Sequence, residues 1–365
     1  MSWQAKAGPA PGSAGEGNVI RLGIVGCNFG RAVLLPAFRA DPRCRVEALA
    51  GTDITRTSEI ALAEGISQPL ADWRALTDHP ELDAVAIAVP PNLQPDIAMR
   101  ALKAGKAVFA EKPLAATLDA AQELHRQADA SGKPFVIDFE FCELPTWQHA
   151  KALIDDGALG PLRHVSVTWH VENYATRMRL KSWKNDRASG GGALGNFVSH
   201  CFYYLEYFCG PMRDMSADLF GLPGETPVSE STVALAGTFR SGAAYTLAMS
   251  AASYLGSGHR IEFYGEDGTL VLANPTSDYM RGFELSHARR PAASLTRIDM
   301  PDPDDARFPD GRVAPVSRLA KRFLDAVESG AAVHPGIVEA CRVQQLIHLA
   351  RRSHEDHSRR ITIDQ

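Results

Sequence analysis

Through the first 140 residues, short runs of consecutive apolar positions alternate with stretches whose apolar residues recur every three or four. Ile20-Arg21-Leu22-Gly23-Ile24-Val25 runs into a glycine turn, as a strand buried on both faces does. The same pattern predicts strands over 19–25, 45–50, 83–89, 107–110 and 134–139, with helices over 32–40, 57–64, 94–104 and 118–130. Repeated strand–helix units of this kind predict an α/β domain with a doubly wound parallel sheet. After residue 140 the texture changes. A helix over 146–156 is followed by alternating apolar and polar positions over 162–170 and strand-like runs over 233–239, 244–250, 260–264 and 269–272. Short turns such as Arg240-Ser241-Gly242 join them, which predicts a mainly antiparallel sheet in an α+β domain. An acidic loop over 301–315 and two helices, 316–328 and 335–354, complete the chain. The expected organisation is a flexible tail at 1–17, an α/β unit at 18–140 and an α+β unit at 141–365.

Composition narrows the function. A formal net charge of -5 over 365 residues argues against nucleic acid as a partner, and Arg351-Arg352 and Arg359-Arg360 read as solvated helix faces. No apolar stretch approaches the roughly 20 residues that span a membrane, so no membrane partner is expected. The six cysteines are scattered without a C-x-x-C pair, which reads as reduced thiols in a cytoplasmic protein. His164 and His170 have no third ligand at metal spacing, so no metal site is expected.

Gly26-Cys27-Asn28-Phe29-Gly30-Arg31 lies between the first strand and the first helix. There the N–H groups and dipole of a helix N-terminus receive a dinucleotide pyrophosphate. Asn28 stands where a second glycine is usual, and Asn tolerates the required backbone better than most residues. Past the second strand, Asp53 is placed to accept from the adenosine ribose. Equally, Gly51 and Thr52 leave room for a 2'-phosphate that Arg56 would neutralise, which tips the expectation from NAD toward NADP. Lys112 follows the apolar run Ala107-Val108-Phe109-Ala110, at a strand end that faces such a crevice.

These residues resemble the Gfo/Idh/MocA oxidoreductases (glucose–fructose oxidoreductase, inositol dehydrogenase and rhizopine-catabolism proteins). The similarity runs from residue 21 to about 210 and more loosely beyond. Its most specific piece is Ala88-Val89-Pro90-Pro91-Asn92-Leu93-Gln94, followed by Ala104-Gly105-Lys106 and Glu111-Lys112-Pro113. Gln94 replaces the family's usual histidine. The resemblance implies a Rossmann domain that binds NAD or NADP, with Pro90, Pro91, Asn92, Gln94, Glu111 and Lys112 near the cofactor. It also implies a C-terminal domain whose open sheet mediates contacts in a homodimer or homotetramer. Lys112 would lie between nicotinamide and substrate and handle the proton of the reacting hydroxyl.

Gly190-Gly191-Gly192 through His200 is similar to the family's glycine-rich segment ending in Asp and His. Leu194, Val198, Cys201, Leu205 and Phe208 mark a buried helix stripe, while Asn196, His200, Tyr203 and Tyr207 share a neighbouring face. His200 would accept the alcohol proton. Asn196 stands where the family has Asp, and it holds a hydrogen bond without the charge that stabilises an imidazolium. Trp183 is expected to wall the pocket beside Lys184, and Glu140 to reach substrate from the crevice mouth. The reading is an NAD(P)-dependent oxidoreductase of polyhydroxylated small molecules such as sugars or inositols. The alternative, motivated by Asn196, is a cofactor-binding sensor or scaffold without turnover.

Overall fold

In the computed structural model of the protein, residues 19–222 and 229–364 are described, so the tail expected at 1–17 lies outside the described residues. Among the described residues the chain forms two sheets. The first is parallel and six-stranded, in the order β3-β2-β1-β4-β5-β6. Its strands are β1 (Ile20–Val25), β2 (Cys44–Ala50), β3 (Gln68–Leu70), β4 (Ala84–Ile87), β5 (Ala107–Ala110) and β6 (Phe135–Ile137). The order reverses between β1 and β4, and there the carboxyl ends of the strands open a crevice that a ligand can enter.

The second sheet has nine strands: β7 (Leu162–His170), β8 (Met212–Phe220), β9 (Thr232–Phe239), β10 (Ala244–Ser250), β11 (Gly258–Gly265), β12 (Gly268–Asn274), β13 (Glu284–Arg289), β14 (Thr296–Ile298) and β15 (Ile361–Thr362). All neighbours are antiparallel except β7 and β10. Alternation along β7 buries Val165, Val167 and Trp169 under helices and leaves His164, Ser166 and Thr168 half-exposed on the other face. β8 escapes pattern reading because Asp214 interrupts it. That carboxylate is nonetheless buried, accepting from the Thr238 amide at 3.1 Å and hydroxyl at 2.6 Å.

One helix departs from the expected partition. Val313–Ser329 begins before 316 and, though grouped with the second unit by sequence position, packs on the first sheet. Its buried stripe Val316, Leu319, Ala320, Phe323 and Leu324 covers the face made by Phe38 and Phe109. The three phenyl rings meet edge to face, with centroids at 5.3, 6.1 and 5.8 Å, the geometry their quadrupoles favour. A second hydrophobic cluster runs continuously from the other face of the first sheet into the core of the second. Phe323→Ala should destabilise the protein by about 3–5 kcal/mol, measured as a lowered urea midpoint.

Candidate active site

The crevice begins at Gly26. With φ at +114°, it passes so close to the chain after β4 that a Cβ would sit 2.1 Å from the Ala88 carbonyl oxygen. The following helical turn starts at Phe29 with no side-chain cap, so its first N–H groups remain for an anion. Asn28 is exposed and accepts a 2.7 Å hydrogen bond from Arg56 Nη2, which brings that guanidinium over the turn. Asp53 caps the helix Ile54–Glu64, accepting from the Arg56 amide at 3.1 Å. Thr52 beside it is exposed. Arg31 extends away from the turn to pair with Glu64 at 3.0 Å, so only its backbone contributes there.

Lys112 is held from behind. Its peptide bond to Pro113 is cis. The Gln94 amide donates to the carbonyls of Glu111 at 2.7 Å and Pro113 at 2.8 Å, clamping the segment on both sides of the lysine. Gln94 is 0% exposed. The expectation that it touches cofactor is therefore corrected: it lies under the lysine segment, and its NH2 group is consumed by that clamp. Pro90 and Pro91 close the same wall, while Asn92 is exposed. Gly190, at φ +88°, packs on Pro91, and a Cβ there would stand 2.8 Å from the proline Cβ. A Cβ on Gly195 would lie 2.1 Å from the Gly190 carbonyl. These glycines let the second unit approach until Lys112 Nζ donates to the Asn196 carbonyl at 2.9 Å.

The Asn196 side chain faces the other way. Its Nδ2 donates to the carbonyls of Lys184 at 2.9 Å and Gly192 at 3.0 Å, stapling the turn Trp183–Asn185 to the glycine run. Trp183 is half-buried in that turn. Two carbonyl acceptors demand an NH2 donor, so an aspartate here would oppose oxygen to oxygen. One helical turn on, His200 is 5% exposed, with Phe139 and Phe141 packed edge-on at 6.0 and 5.0 Å. Tyr203 stacks on Phe139 at 4.6 Å, and Tyr207 lies beyond it at 6.3 Å.

Glu140 was expected at the crevice mouth. It is 6% exposed and lies beneath His200, its Oε2 3.8 Å from Nδ1. The reason is local: β6 ends at Ile137, and the tight turn Glu140–Glu143 carries the side chain inward between Phe139 and Phe141. Direct contact with substrate is thereby corrected to contact with the imidazole. Burial, then the charge of Glu111, pushes the Glu140 carboxyl up to about 7. Behind it Asp138 is wholly buried, with neither oxygen meeting an N–H or O–H donor. Burial and the charges of Glu111 and Glu140 push Asp138 well above its ordinary value. Burial raises the Glu111 carboxyl as well, so protons are retained within this group of buried acids.

Two residues of this neighbourhood have no sequence motif. Asp138 is one. Arg312 is another, placed over the Phe29 ring at 5.3 Å and salt-bridged to Asp310 at 2.6 Å. Lys184, expected beside Trp183, has its pKa lowered by desolvation, then by the positive charges of Lys112 and Arg312. Only the acidic loop around 301–315 hinted that this stretch matters, because its carboxylates hold Arg312 and Arg318 in place.

Residues 20–139 match the model of an oxidoreductase family with an NAD-binding Rossmann fold, and residues 147–271 match the Gfo/Idh/MocA C-terminal domain. An uncharacterized oxidoreductase of Synechocystis is 30% identical over 354 residues, 92% of this chain and 94% of its own. The chain belongs to the Gfo/Idh/MocA family. A levoglucosan dehydrogenase of Pseudarthrobacter phenanthrenivorans is 28% identical over 61% of this chain and 60% of its own. The solved structure of levoglucosan dehydrogenase with NADH and L-sorbose shares the fold. Its TM-score is 0.84 at 22% identity, over 95% of this chain and 99% of that one. As a Gfo/Idh/MocA oxidoreductase, the protein is an NAD(P)-dependent dehydrogenase or reductase acting on CH–OH groups. The open N–H groups at Phe29 fit the diphosphate of such a cofactor.

The buried carboxyl group ties stability to pH. Asp138 has a raised folded pKa, so the folded state favours its proton. That contribution is full below the unfolded value near 3.9 and is lost as pH rises toward the folded value. Asp138→Asn carries no such dependence. Its melting temperature relative to wild type should rise as pH climbs above the unfolded value and level off once Asp138 ionises in the folded protein; a constant offset would contradict the assignment.

Proposed function

We propose that the protein interconverts a secondary alcohol and a carbonyl on a polyhydroxylated small molecule of the sugar or inositol class, with NADP preferred over NAD. The observation that carries this reading is the bond from Lys112 to the helix of His200, at the carboxyl end of β5. It sets an amine and an imidazole on one side of the crevice that Gly26 opens. In the oxidative direction Lys112 donates to the substrate oxygen and stabilises it as charge develops, while His200 accepts the hydroxyl proton. When bound, the nicotinamide supplies the hydride acceptor. The alcohol loses one proton and one hydride, and a carbonyl results. The reverse reaction uses the same groups in opposite roles.

The substrate class is supported by relatives named levoglucosan dehydrogenase and D-xylose dehydrogenase. The NADP preference is supported at the end of β2, where Gly51 leaves no acid to repel a 2'-phosphate. Asp53 is occupied as a helix cap, and Arg56 lies over the turn. We place pairing into dimers or tetramers on the half-exposed face of the nine-stranded sheet, around Ser166 and Thr168. The six cysteines are free thiols, in keeping with a reducing, cytoplasmic setting. Among the described residues no helix is long and apolar enough to cross a membrane. The sensor reading drew its motive from Asn196. Because that amide staples two carbonyls, its lack of charge is a local packing requirement and no mark of lost chemistry.

Lys112→Ala should lower kcat by about 10²–10⁴-fold, the usual worth of a positioned acid–base group. Nucleotide affinity, followed by NADPH fluorescence, should change little. Unaltered turnover in that variant refutes the proposal. Arg56→Ala should raise the KM for NADP by about tenfold and leave NAD unaffected, the loss expected for one charge-assisted phosphate contact. An equal effect on both cofactors would assign Arg56 to the diphosphate instead.

A further inference from the structure

We propose that Glu140 is the carboxylate that positions and charges His200, supplying from the end of the parallel sheet what residue 196 cannot. This rests on the oxidoreductase reading above. The argument starts with Nδ1 of His200, which is buried and has no hydrogen-bond partner. An orphan of this kind is costly unless something satisfies it when the site works. The carboxylate paired with it is Glu140, at 3.8 Å, and both side chains are almost fully enclosed, at 5% and 7% exposure. Phe139 and Phe141 hold the ring plane, so a small movement of the flexible glutamate closes the gap. Catalytic hydrogen bonds that are long in the absence of ligand commonly tighten when it binds.

Other candidates for the role are engaged elsewhere. Asn196 spends its amide on Lys184 and Gly192. His259, the other imidazole facing His200, is stacked on Trp169 at 4.1 Å, and its Nε2 lies 3.0 Å from the Tyr204 hydroxyl. Around Glu140 the charged and titratable groups are Glu111, Asp138, Lys112, Arg312, His200 and Cys142.

The protonation state of Glu140 selects the tautomer of His200. Ionised, Glu140 accepts from Nδ1–H and leaves Nε2 bare to take the proton of the substrate hydroxyl. The imidazolium so formed keeps its Nδ1–H against the carboxylate; a bound nicotinamide would accept the hydride from the same substrate carbon. Protonated, Glu140 donates to Nδ1, and the ring proton moves to Nε2, where it blocks acceptance. With Glu140 pushed up to about 7, oxidation should rise with pH through that value. The residue therefore acts through His200 and is a positioning residue.

The test pairs kinetics with spectroscopy on the full-length protein. Imidazole ¹⁵N shifts of His200 should report Nδ1–H above pH about 7 and a tautomer change below it, in wild type without substrate. Glu140→Gln should lower kcat by about 10²-fold with KM nearly constant, and should abolish the acidic limb near neutrality. Glu140→Asp should restore that limb in part. Asn196→Asp should melt at lower temperature without any gain in kcat. Retention of wild-type kcat and acidic limb by Glu140→Gln overturns the proposal while leaving the oxidoreductase reading intact. So does an Nε2–H tautomer in wild type at pH 8. If wild type binds NADP yet oxidises no sugar or inositol, the functional reading fails, and the ¹⁵N tautomer alone decides whether Glu140 pairs with His200.

Discussion

A single hydrogen bond between segments 84 residues apart, from the amine of Lys112 to the backbone carbonyl of Asn196, sets the geometry of the crevice. A half-buried ammonium group must find an acceptor, and here the acceptor belongs to the other half of the molecule. The bond is possible only because two backbones touch without side chains between them. Gly190 against Pro91 and Gly195 against Gly190 meet that requirement. The Gln94 clamp keeps the lysine segment from yielding, and the Asn196 staple does the same on the opposite side. The amine is thus fixed by backbone atoms, which leaves side-chain chemistry to the imidazole and carboxylates next to it.

Those carboxylates are the second feature of the site. Glu111, Asp138 and Glu140 gather at the ends of β5 and β6 in a nearly dry pocket, a placement that water would never favour for three full negative charges. Lys112 and Arg312 offset part of the charge, and retained protons offset more. The outcome is a reservoir of protons directly behind His200, whose own protonation is disfavoured by burial and by Lys112. An imidazole that stays neutral keeps its lone pair free, and a carboxylate beside it offsets the cost of taking up a proton.

Much of this was legible in the chain. Apolar runs located the parallel strands except the short β3, and the Pro90-Pro91 and Glu111-Lys112-Pro113 segments follow β4 and β5 at their carboxyl ends. The glycine run leads into the helix of His200, which the Lys112–Asn196 bond joins to them. Side-chain direction at loop residues was not legible. Glu140 lies three residues past β6, and whether it faces solvent or core depends on a tight turn that no periodicity encodes. Gln94 looked like a replaced cofactor residue because position was visible and burial was not. Asn196 looked like a loss because its acceptors, the carbonyls of Lys184 and Gly192, are contributed by loop geometry. Arg312 was hidden for a different reason: it reaches the site from the chain's last sixth, through a helix that doubles back.

That returning helix has a consequence for how the molecule is made. Phe38 and Phe109 are synthesised well before their covering partner, Phe323. Until then the nascent nucleotide-binding lobe presents a greasy face to its surroundings, one that chaperones or neighbouring chains can reach. Sealing it couples arrival of the returning helix to maturation of the cofactor pocket, since Arg312 comes to lie over Phe29 on the same stretch of chain.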